Sequence, residues 1–536
     1  MAEPAKVYAV ADGPFKELTE QAVARLSGCE RQKNEFDLDI RESYFFSQPH
    51  RAREIRSAQA ISVSKPTDAD TLQTGIAMEL VDDFNTEVIN SFMPQAEPWA
   101  ERRPGMFIPP ALRQQAKDAA AKQDPLIFDA IRASNLYEEF PKLGADVAIG
   151  TAAFSIDDLR PAENIVVQAI PLHEIEINVG PFGGIDDRFI VRHTKNRHVK
   201  ALLGATYEKL DAECRREIED AKKQDQVTII RWGWWRLWDR LGDVVWQHVV
   251  MKDMKVVHAV ELTGEGSCPM VVFRFNPSPE WAYGWGPLPK SLPDLRQIDD
   301  IQAKKIEHID LTLAPPSTYP DDSGTAFDQG VEAGKMYPVR PGSEGAVKQL
   351  IEPGSMEPAI YEVDAIERAL RHRFYVGMPE QRGKTPPTAT QWLDEMQLAQ
   401  RRFGTPGASF WKEGPAAIFL RFKFLLEKRG VIAPIEVNGK IVSLEPYNPA
   451  QRAAEQQEVA MAARYLSIVG PTWPEEFRLR VDGSATMQAI ADKMRVGGLI
   501  KFRTDQEAGN IIEGIKALSE GRQQIRPSDP AAAGTL

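Results

Sequence analysis

Apolar residues recur at three- and four-residue steps along much of the first third of the chain. The pattern runs through residues 14–30, 33–47, 72–92, 111–135 and 137–153. Such spacing places apolar side chains on one face of an α-helix, so these segments are predicted to be packing helices. Prolines interrupt the pattern between residues 94 and 110, where their restricted dihedral angles favour loops.

From about Ile165 to residue 275 the pattern changes to short runs of β-branched and aromatic residues. Turn residues such as Gly183 and Gly184 separate these runs, which predicts a strand-rich insert interrupted by a charged helix near residues 206–224. A tryptophan cluster lies within it: Trp232, Trp234, Trp235 and Trp238. Aromatic clusters stack on single-stranded nucleic acid when a basic stripe accompanies them. No such stripe is present, so packing is the favoured interpretation.

The longest helical pattern runs from Leu288 to Leu313, about 26 residues or roughly 39 Å of helix. A stretch rich in proline and glycine follows, with short strand candidates at 336–339 and 346–351. A second helix then carries apolar residues from Ile360 to Phe374 on one face. Two helices joined by a compact excursion predict an antiparallel hairpin.

Each helix of this hairpin also has a polar face. The first carries Asp299, Lys304 and Glu307, and the second carries Arg368 and Arg371. Solvation is the usual role of such faces, and one of them is a candidate lining for a pore.

The remaining chain is predicted to be mostly helical. After the loop 377–387, the spacing predicts helices from Thr388, over 407–429 and over 449–469, with a hairpin at 431–445 that turns at Asn438-Gly439. Residues 526–536 are predicted to be a mobile tail. The fold class expected from the whole pattern is α+β and predominantly helical.

Bulk properties narrow the function classes. The chain has 536 residues, a net charge of −12 and a pI near 5.4. Length favours three or four structural regions, and the acidic balance argues against tight DNA binding, which needs clustered basic residues. Three cysteines without metal-ligand spacing predict neither disulfides nor a zinc site. No membrane span and no secretory signal are expected.

Candidate enzyme motifs are weak. Gly383-Lys384-Thr385 resembles the end of a phosphate-binding loop, but Gly377 lies one residue too far upstream and two prolines follow. Adjacent aspartates such as Asp299 and Asp300 diverge on a helix and do not converge on a metal ion. We therefore expect no enzyme activity, no cofactor and no metal. A DNA-processing enzyme, either nuclease or ATPase, remains the alternative from another class.

Several short motifs, in order, resemble one known family. Tyr283-Gly-Trp-Gly-Pro287 is similar to its turn into a long helix, and Leu313-Ala-Pro-Pro316 to the exit of that helix. Arg373-Phe-Tyr375 and Thr388-Ala-Thr390 match later positions. Upstream, Phe92-Met-Pro94 and Gly150-Thr-Ala-Ala-Phe154 also fit. The chain resembles the portal, or head-to-tail connecting, proteins of short-tailed bacteriophages over roughly residues 15–470.

The resemblance implies a portal fold assembled as a dodecameric ring. Its regions would be a wing (1–286, with the strand-rich insert at 165–275), stem helices (287–313 and 358–376), a clip (314–357), a tunnel loop (377–387), a following helix and wing return (388–447), a crown (448–525) and a flexible tail (526–536). The tunnel loop would face DNA through Gln381, Arg382 and Lys384. Asp299, Lys304, Glu307, Arg368 and Arg371 would be candidates for the channel face of the stem.

The resemblance also implies partners. The clip, with Tyr319, Asp321, Asp322 and Tyr337 as candidates, would contact the terminase and the tail adaptor. The wing would meet major capsid and scaffolding proteins, and double-stranded DNA would pass through the ring without sequence specificity during packaging and ejection. The protein would be assembled in host cytoplasm and located at one capsid vertex of the virion. Another ring-forming virion protein, a tail adaptor or nozzle, is a further alternative.

Overall fold

The computed structural model describes residues 14–53, 71–96, 98–104, 109–158, 164–210, 212–239, 244–252, 254–320, 332–339, 348–349, 356–376, 404–437, 440–441, 444–446, 449–472, 481 and 483–494. The chain divides into two compact units, Met1–Asn448 and Pro449–Leu536.

The helices of the first unit are α1 (Pro14–Glu35), α2 (Asp37–Ser47), α3 (Ile76–Phe92), α4 (Pro110–Ala133), α5 (Leu136–Glu139), α6 (Gly144–Ile149), α7 (Asn196–Leu203), α8 (Ala212–Glu219), α9 (Pro287–Leu313), α10 (Glu357–Arg373), α11 (Gly404–Glu413) and α12 (Pro415–Lys428). Short 3-10 turns lie at Pro49–Arg51, Phe140–Leu143, Leu172–Glu174, Gly204–Lys209 and Ala221–Lys223. The second unit contains α13 (Pro449–Thr472) and α14 (Gly483–Met494).

The strands are β1 (Arg102–Pro104), β2 (Thr151–Asp157), β3 (Val166–Ile170), β4 (Ile175–Val179), β5 (Ile185–Lys195), β6 (Val227–Arg236), β7 (Val245–Lys252), β8 (Lys255–Thr263), β9 (Met270–Arg274), β10 (Ser317–Pro320), β11 (Met336–Val339), β12 (Lys348–Gln349), β13 (Glu436–Val437), β14 (Lys440–Ile441) and β15 (Leu444–Pro446). The fold is α+β, as predicted.

The strand-rich insert consists of an antiparallel sheet of β4 to β8 in chain order, beside a three-stranded sheet of order β3-β2-β9. Within the insert, Trp234 and Trp235 are buried, as the packing interpretation predicted. Trp238, past the end of β6, is 39% exposed. Its ring contacts that of Phe182 and its indole N–H donates to Asp186, so Trp238 packs at the protein surface and not in the core.

The main core forms where α3, α4 and α12 pack with β2 and β9. Phe84, Phe154, Phe273 and Phe419 are buried in it to 1% exposure or less. They belong to segments whose apolar spacing predicted a buried face. Burying side chains of this size contributes about 1.5–3 kcal/mol each, so this core carries much of the stability of the unit.

Three helix predictions differ from the structure. The segment 137–153 is helical only to Ile149, because Gly150 has a φ of 130° and a strand begins at Thr151. A Cβ on Gly150 would lie 2.4 Å from the carbonyl oxygen of Gly284, so the close approach of two chain segments requires glycine there. The segment 407–429 is two helices that meet at Gly414, and the segment 206–224 is broken into short pieces.

A buried lysine ties α1 to the insert. The Lys33 side chain is 1% exposed and donates to Glu176 Oε1 at 3.0 Å and to the carbonyl oxygens of His173 and Ile175. A buried ammonium needs such partners because removal from water is costly. This contact fixes the first helix against the five-stranded sheet.

Candidate assembly surface on the helical hairpin

The long helix α9 begins at Pro287, where the missing amide donor and the fixed φ of proline suit the first helical position. Its first half is buried in the core of the unit. Leu288, Leu292, Leu295 and Ile298 are each 3% exposed or less. We call the rest of the first unit, outside α9, α10 and the residues between them, the body. The body therefore covers this part of the apolar face of α9.

The same face continues past the body. Positions spaced alternately four and three residues apart lie on one face of a helix. Counted from Leu288, this spacing passes through Leu295 and Asp299 and reaches a second apolar group, which consists of Ile306, Ile309 and Leu313. In this group Ile306 is 46%, Ile309 is 41% and Leu313 is 79% exposed. One stripe on one helix is thus covered at its base and uncovered in its outer half.

Asp299 marks the boundary between the two halves. Its Oδ1 accepts hydrogen bonds from the backbone N–H groups of Gln73, at 2.8 Å, and Thr74, at 3.1 Å. These two residues lie just before α3. Within the described part of the chain, this is the outermost side-chain hydrogen bond between α9 and the body.

The second helix, α10, packs antiparallel to α9 near its base. Arg373 pairs with Asp294, and Gln297 donates to Glu362 Oε1 at 2.6 Å. Leu370 is fully buried, whereas Ile360 is 47% and Tyr361 is 74% exposed near the other end. Both helices of the hairpin therefore expose apolar side chains away from the body.

The exit of α10 has an unusual backbone. Tyr375 has a φ of 59°, in the left-handed region that usually holds glycine, and the Val376 N–H returns to the Arg371 carbonyl oxygen. The Tyr375 ring lies 5.6 Å from that of Phe275. This contact with the core holds the chain where the predicted tunnel loop begins.

The other polar candidates on the hairpin face solvent in the single chain. Lys304 pairs with Asp300 at 2.6 Å, and both side chains are more than 60% exposed. Glu307, Arg368 and Arg371 are also exposed. Among the described residues, Asp299 alone of the five predicted stem candidates contacts the body through a side-chain hydrogen bond.

Between α9 and α10 the described chain forms a small sheet of order β11-β10-β12. Tyr319 lies opposite Pro338 in the parallel pair, and Tyr337 is buried with its hydroxyl accepting from the Glu332 N–H at 2.7 Å. The strand predicted at 336–339 is confirmed. Asp321 and Asp322, and the predicted tunnel-loop residues Gln381, Arg382 and Lys384, lie outside the described residues.

The described part of the chain contains no group of three or more His, Cys, Asp or Glu side chains arranged to hold a metal ion. Within the same residues, no helix has both the length and the apolar character that crossing a bilayer requires. Of the cysteines, Cys29 and Cys268 are buried, and burial raises the pKa of both thiols.

Comparison with known proteins gives a family match over most of the chain and similarities to solved structures. The sequence profile of a family described as bacteriophage head to tail connecting protein matches residues 19–497. A search of curated proteins found no match. Among solved structures, the chain is similar to one from the neck of an empty GTA particle computed with C6 symmetry (13% identity, TM-score 0.36) and to one from the virion of a native gene transfer agent particle (12% identity, TM-score 0.37). Each similarity covers 82% of this chain and 97% of the other.

Proposed function

Because the chain belongs to the family of bacteriophage head-to-tail connecting proteins, we propose that it is a portal subunit whose copies form a closed ring at one capsid vertex. In this ring, α9 and α10 are the stem that surrounds a DNA channel. The strand-rich part of the first unit belongs to the wing, the small sheet between the stem helices to the clip, and residues 448–525 to the crown.

The observation that carries the proposal is the uncovered half of the α9 stripe. Residues 299–313 extend about 22 Å at 1.5 Å per residue, with three large aliphatic side chains on one face. Burying each fully would contribute about 1.5–3 kcal/mol. A two-helix hairpin has no second layer of its own, so copies packed side by side are a natural cover for this face.

The charge balance supports a channel that DNA passes through without being held. The chain carries 77 acidic and 65 basic residues, and the polar face of α9 includes Asp300, Lys304 and Glu307. Phosphate binding strengthens with each neutralising Lys or Arg, so a mixed lining keeps the net attraction weak. In this proposal Arg382 and Lys384 on the tunnel loop make the transient phosphate contacts, together with Gln381, and Arg368 and Arg371 line the stem.

The remaining parts of the proposal concern partners. The clip, including Tyr319, Tyr337, Asp321 and Asp322, contacts the packaging terminase and later the tail adaptor, while the wing meets capsid and scaffolding proteins. The terminase performs the ATP-driven work, and the ring contributes shape and electrostatics during packaging and ejection. We propose that the ring contains twelve copies of the chain.

A matched pair of variants tests the proposal. Ile309→Glu puts a charge on the uncovered stripe, whereas Ala303→Glu puts the same side chain on the exposed polar side of the same helix. We expect Ile309→Glu to abolish ring assembly in native mass measurements and Ala303→Glu to retain it, because only the first buries a charge between copies. Equal assembly by both variants would contradict the proposal.

The DNA-processing alternative predicts a different result. The purified wild-type chain would then cleave DNA with Mg²⁺ or Mn²⁺, or hydrolyse ATP. In the portal proposal it does neither, and Arg382→Ala with Lys384→Ala reduces retention of packaged DNA while leaving ring mass unchanged.

A further inference from the structure

Helix α13 of the second unit has two apolar faces. On the first face Val459 is 8% exposed, and Ala462, Leu466 and Val469 are partly buried. Helix α13 packs against α14, where Ala491 is also buried. The contact between the two helices therefore accounts for the first face.

The second face consists of Met461, Tyr465 and Ile468, which are 58%, 59% and 57% exposed. Steps of four and then three residues place these side chains in one row, roughly a third of a turn around the helix from the first face. We call this row the outer face of α13. Among the described residues of the second unit, none covers it. A contiguous row of large apolar side chains is a candidate binding surface.

The same spacing occurs once in the chain beyond α14. Ile511, Ile515 and Leu518 are separated by four and then three residues, as are the three residues of the outer face. On a helix, Glu513 and Lys516 would lie on the side opposite this apolar row. The sequence of residues 507–519 therefore predicts an amphipathic helix with an apolar row of matching length.

A helix over residues 507–519 requires a partner surface. It would be only 13 residues long, and isolated helices of that length are marginal in water. Gly509 and Gly514 each cost about 1 kcal/mol relative to alanine inside a helix. Local propensity alone does not specify this helix, so its apolar row must be packed for the helix to form.

The linking chain is long enough to bring the segment back to α13. Sixteen residues, 495–510, separate the end of α14 at Met494 from Ile511. Fully extended, they span about 53 Å. The whole of α13, with 24 residues, is about 36 Å long. Any position on the outer face is therefore within reach of residues 507–519 of the same chain.

The size of the outer face favours a short segment over a second copy of the chain. Met461 to Ile468 spans about 11 Å of helix. Stable interfaces between proteins use about 20–30 residues on each side. Three side chains fall far below that number, whereas one helix with three matching apolar side chains covers them completely.

We infer that residues 507–519 pack as an amphipathic helix on the outer face of α13 in the same chain. The segment lies beyond residue 497, where the match to the family profile ends. The inference concerns the second unit alone and does not depend on the proposed ring. It gives the second unit a third helix that covers its largest exposed apolar row among the described residues.

Cross-linking tests the contact at its centre. Tyr465 and Ile515 are the middle residues of the two rows, so Tyr465→Cys and Ile515→Cys bring two thiols together whichever way the segment runs. The full chain is used in a Cys214→Ser background, because Cys214 is the cysteine that is not buried. A short bis-maleimide should link the two residues within one chain, which peptide mapping of the monomer band on a denaturing gel detects.

The matched control moves one thiol to the opposite side of the same turn of α13. Ser467→Cys, at an exposed position, replaces Tyr465→Cys and should give little link to Ile515→Cys. Equal linking in both pairs, or no link in either, would overturn the contact. Linked peptides found only in covalent multimers would show that another copy occupies the outer face, and would also overturn it.

Limited proteolysis of the chain without introduced cysteines gives an independent readout. Trypsin cleaves after Lys516, inside the segment, and after Arg522, outside it. Ile468→Glu should raise the ratio of cleavage at Lys516 to cleavage at Arg522 at least about tenfold, because a charge would face the apolar row. Ser467→Glu should keep the ratio within about twofold of wild type. The same ratio in both variants would contradict the inference.

Discussion

The body of the first unit and the outer half of its helical hairpin are stabilised in different ways. In the body, charged residues form buried ion pairs. Lys33 pairs with Glu176 (1% and 3% exposed), and Arg102 pairs with Asp124 (1% and 10% exposed). In the outer hairpin, the pair of Lys304 and Asp300 is 71% and 63% exposed, and apolar Ile309 and Leu313 are uncovered.

The two regions therefore differ in what stabilises them: contacts within the single chain or contacts with other copies. The body satisfies its buried groups internally, so its stability belongs to the single chain. The outer hairpin leaves apolar surface in water and holds only weak surface ion pairs, so its stabilisation depends on other copies in the proposed ring. Changes in the two regions should therefore affect different measurements.

The largest effect is expected from Lys33→Met. Its ammonium has three oxygen acceptors, and its removal takes the neighbouring positive charge away from the buried Glu176 carboxylate. We expect a loss of about 3–5 kcal/mol in the free energy of unfolding, measured by denaturant titration. Lys16→Met, on the exposed side of the same helix, is the control and should cost less than about 0.5 kcal/mol. Equal losses would contradict the buried-pair account.

Two truncations on the single stripe of α9 sharpen the comparison. Leu295→Ala removes a fully buried side chain and should cost about 2–5 kcal/mol of unfolding free energy. Ile309→Ala, two heptad steps further along, should change the stability of the single chain by less than about 1 kcal/mol while weakening assembly. If Ile309→Ala destabilised the single chain as much as Leu295→Ala, the outer half would be covered within the chain.

A third prediction concerns pH. Burial, with Arg51 and Lys33 nearby, lowers the pKa of His173 from 6.5 to about 3. Below pH 6.5 the unfolded chain binds a proton that the folded chain does not, so stability falls as pH falls, by up to about 1.4 kcal/mol per pH unit.

Between pH 7 and pH 5, wild type should therefore lose up to about 2 kcal/mol more than His173→Gln. Denaturant titration at both pH values measures the difference. Parallel losses in the two chains would exclude His173 as a source of acid sensitivity.

The smallest effect is expected from Lys304→Ala. Its pair with Asp300 is exposed and local, and such pairs contribute about 0.3–0.5 kcal/mol. Thermal unfolding should barely shift. A loss above about 1 kcal/mol in the unfolding free energy of the single chain would contradict the exposure of this face of α9.

The local spacing of apolar residues was sufficient to predict helix α9. Its apolar spacing and Pro287 specify a helix that the structure bounds at Pro287–Leu313. The strand at Met336–Val339 was likewise predictable from local residue types. Both elements depend on neighbours within a few residues, which is the information that periodicity carries.

Long-range contacts were not predictable in this way. The spacing of apolar residues on α9 does not reveal that Asp299 accepts hydrogen bonds from Gln73 and Thr74. It also does not reveal that the body stops covering the apolar face of α9 at this residue. The pairing of Arg274 with Glu413, which are 139 residues apart, leaves no periodic signal. The exposure of Trp238 depends on its position past the end of β6, which strand alternation does not encode.

Native mass spectrometry combined with negative-stain imaging of the purified wild-type chain tests the central claim most directly. We predict a closed ring of copies with a central hole, dodecameric in mass, that Ile309→Glu dissociates and Ala303→Glu does not. A monomer or a compact two-fold dimer across the whole concentration range would contradict the claim that the uncovered stripe of α9 is covered by other copies.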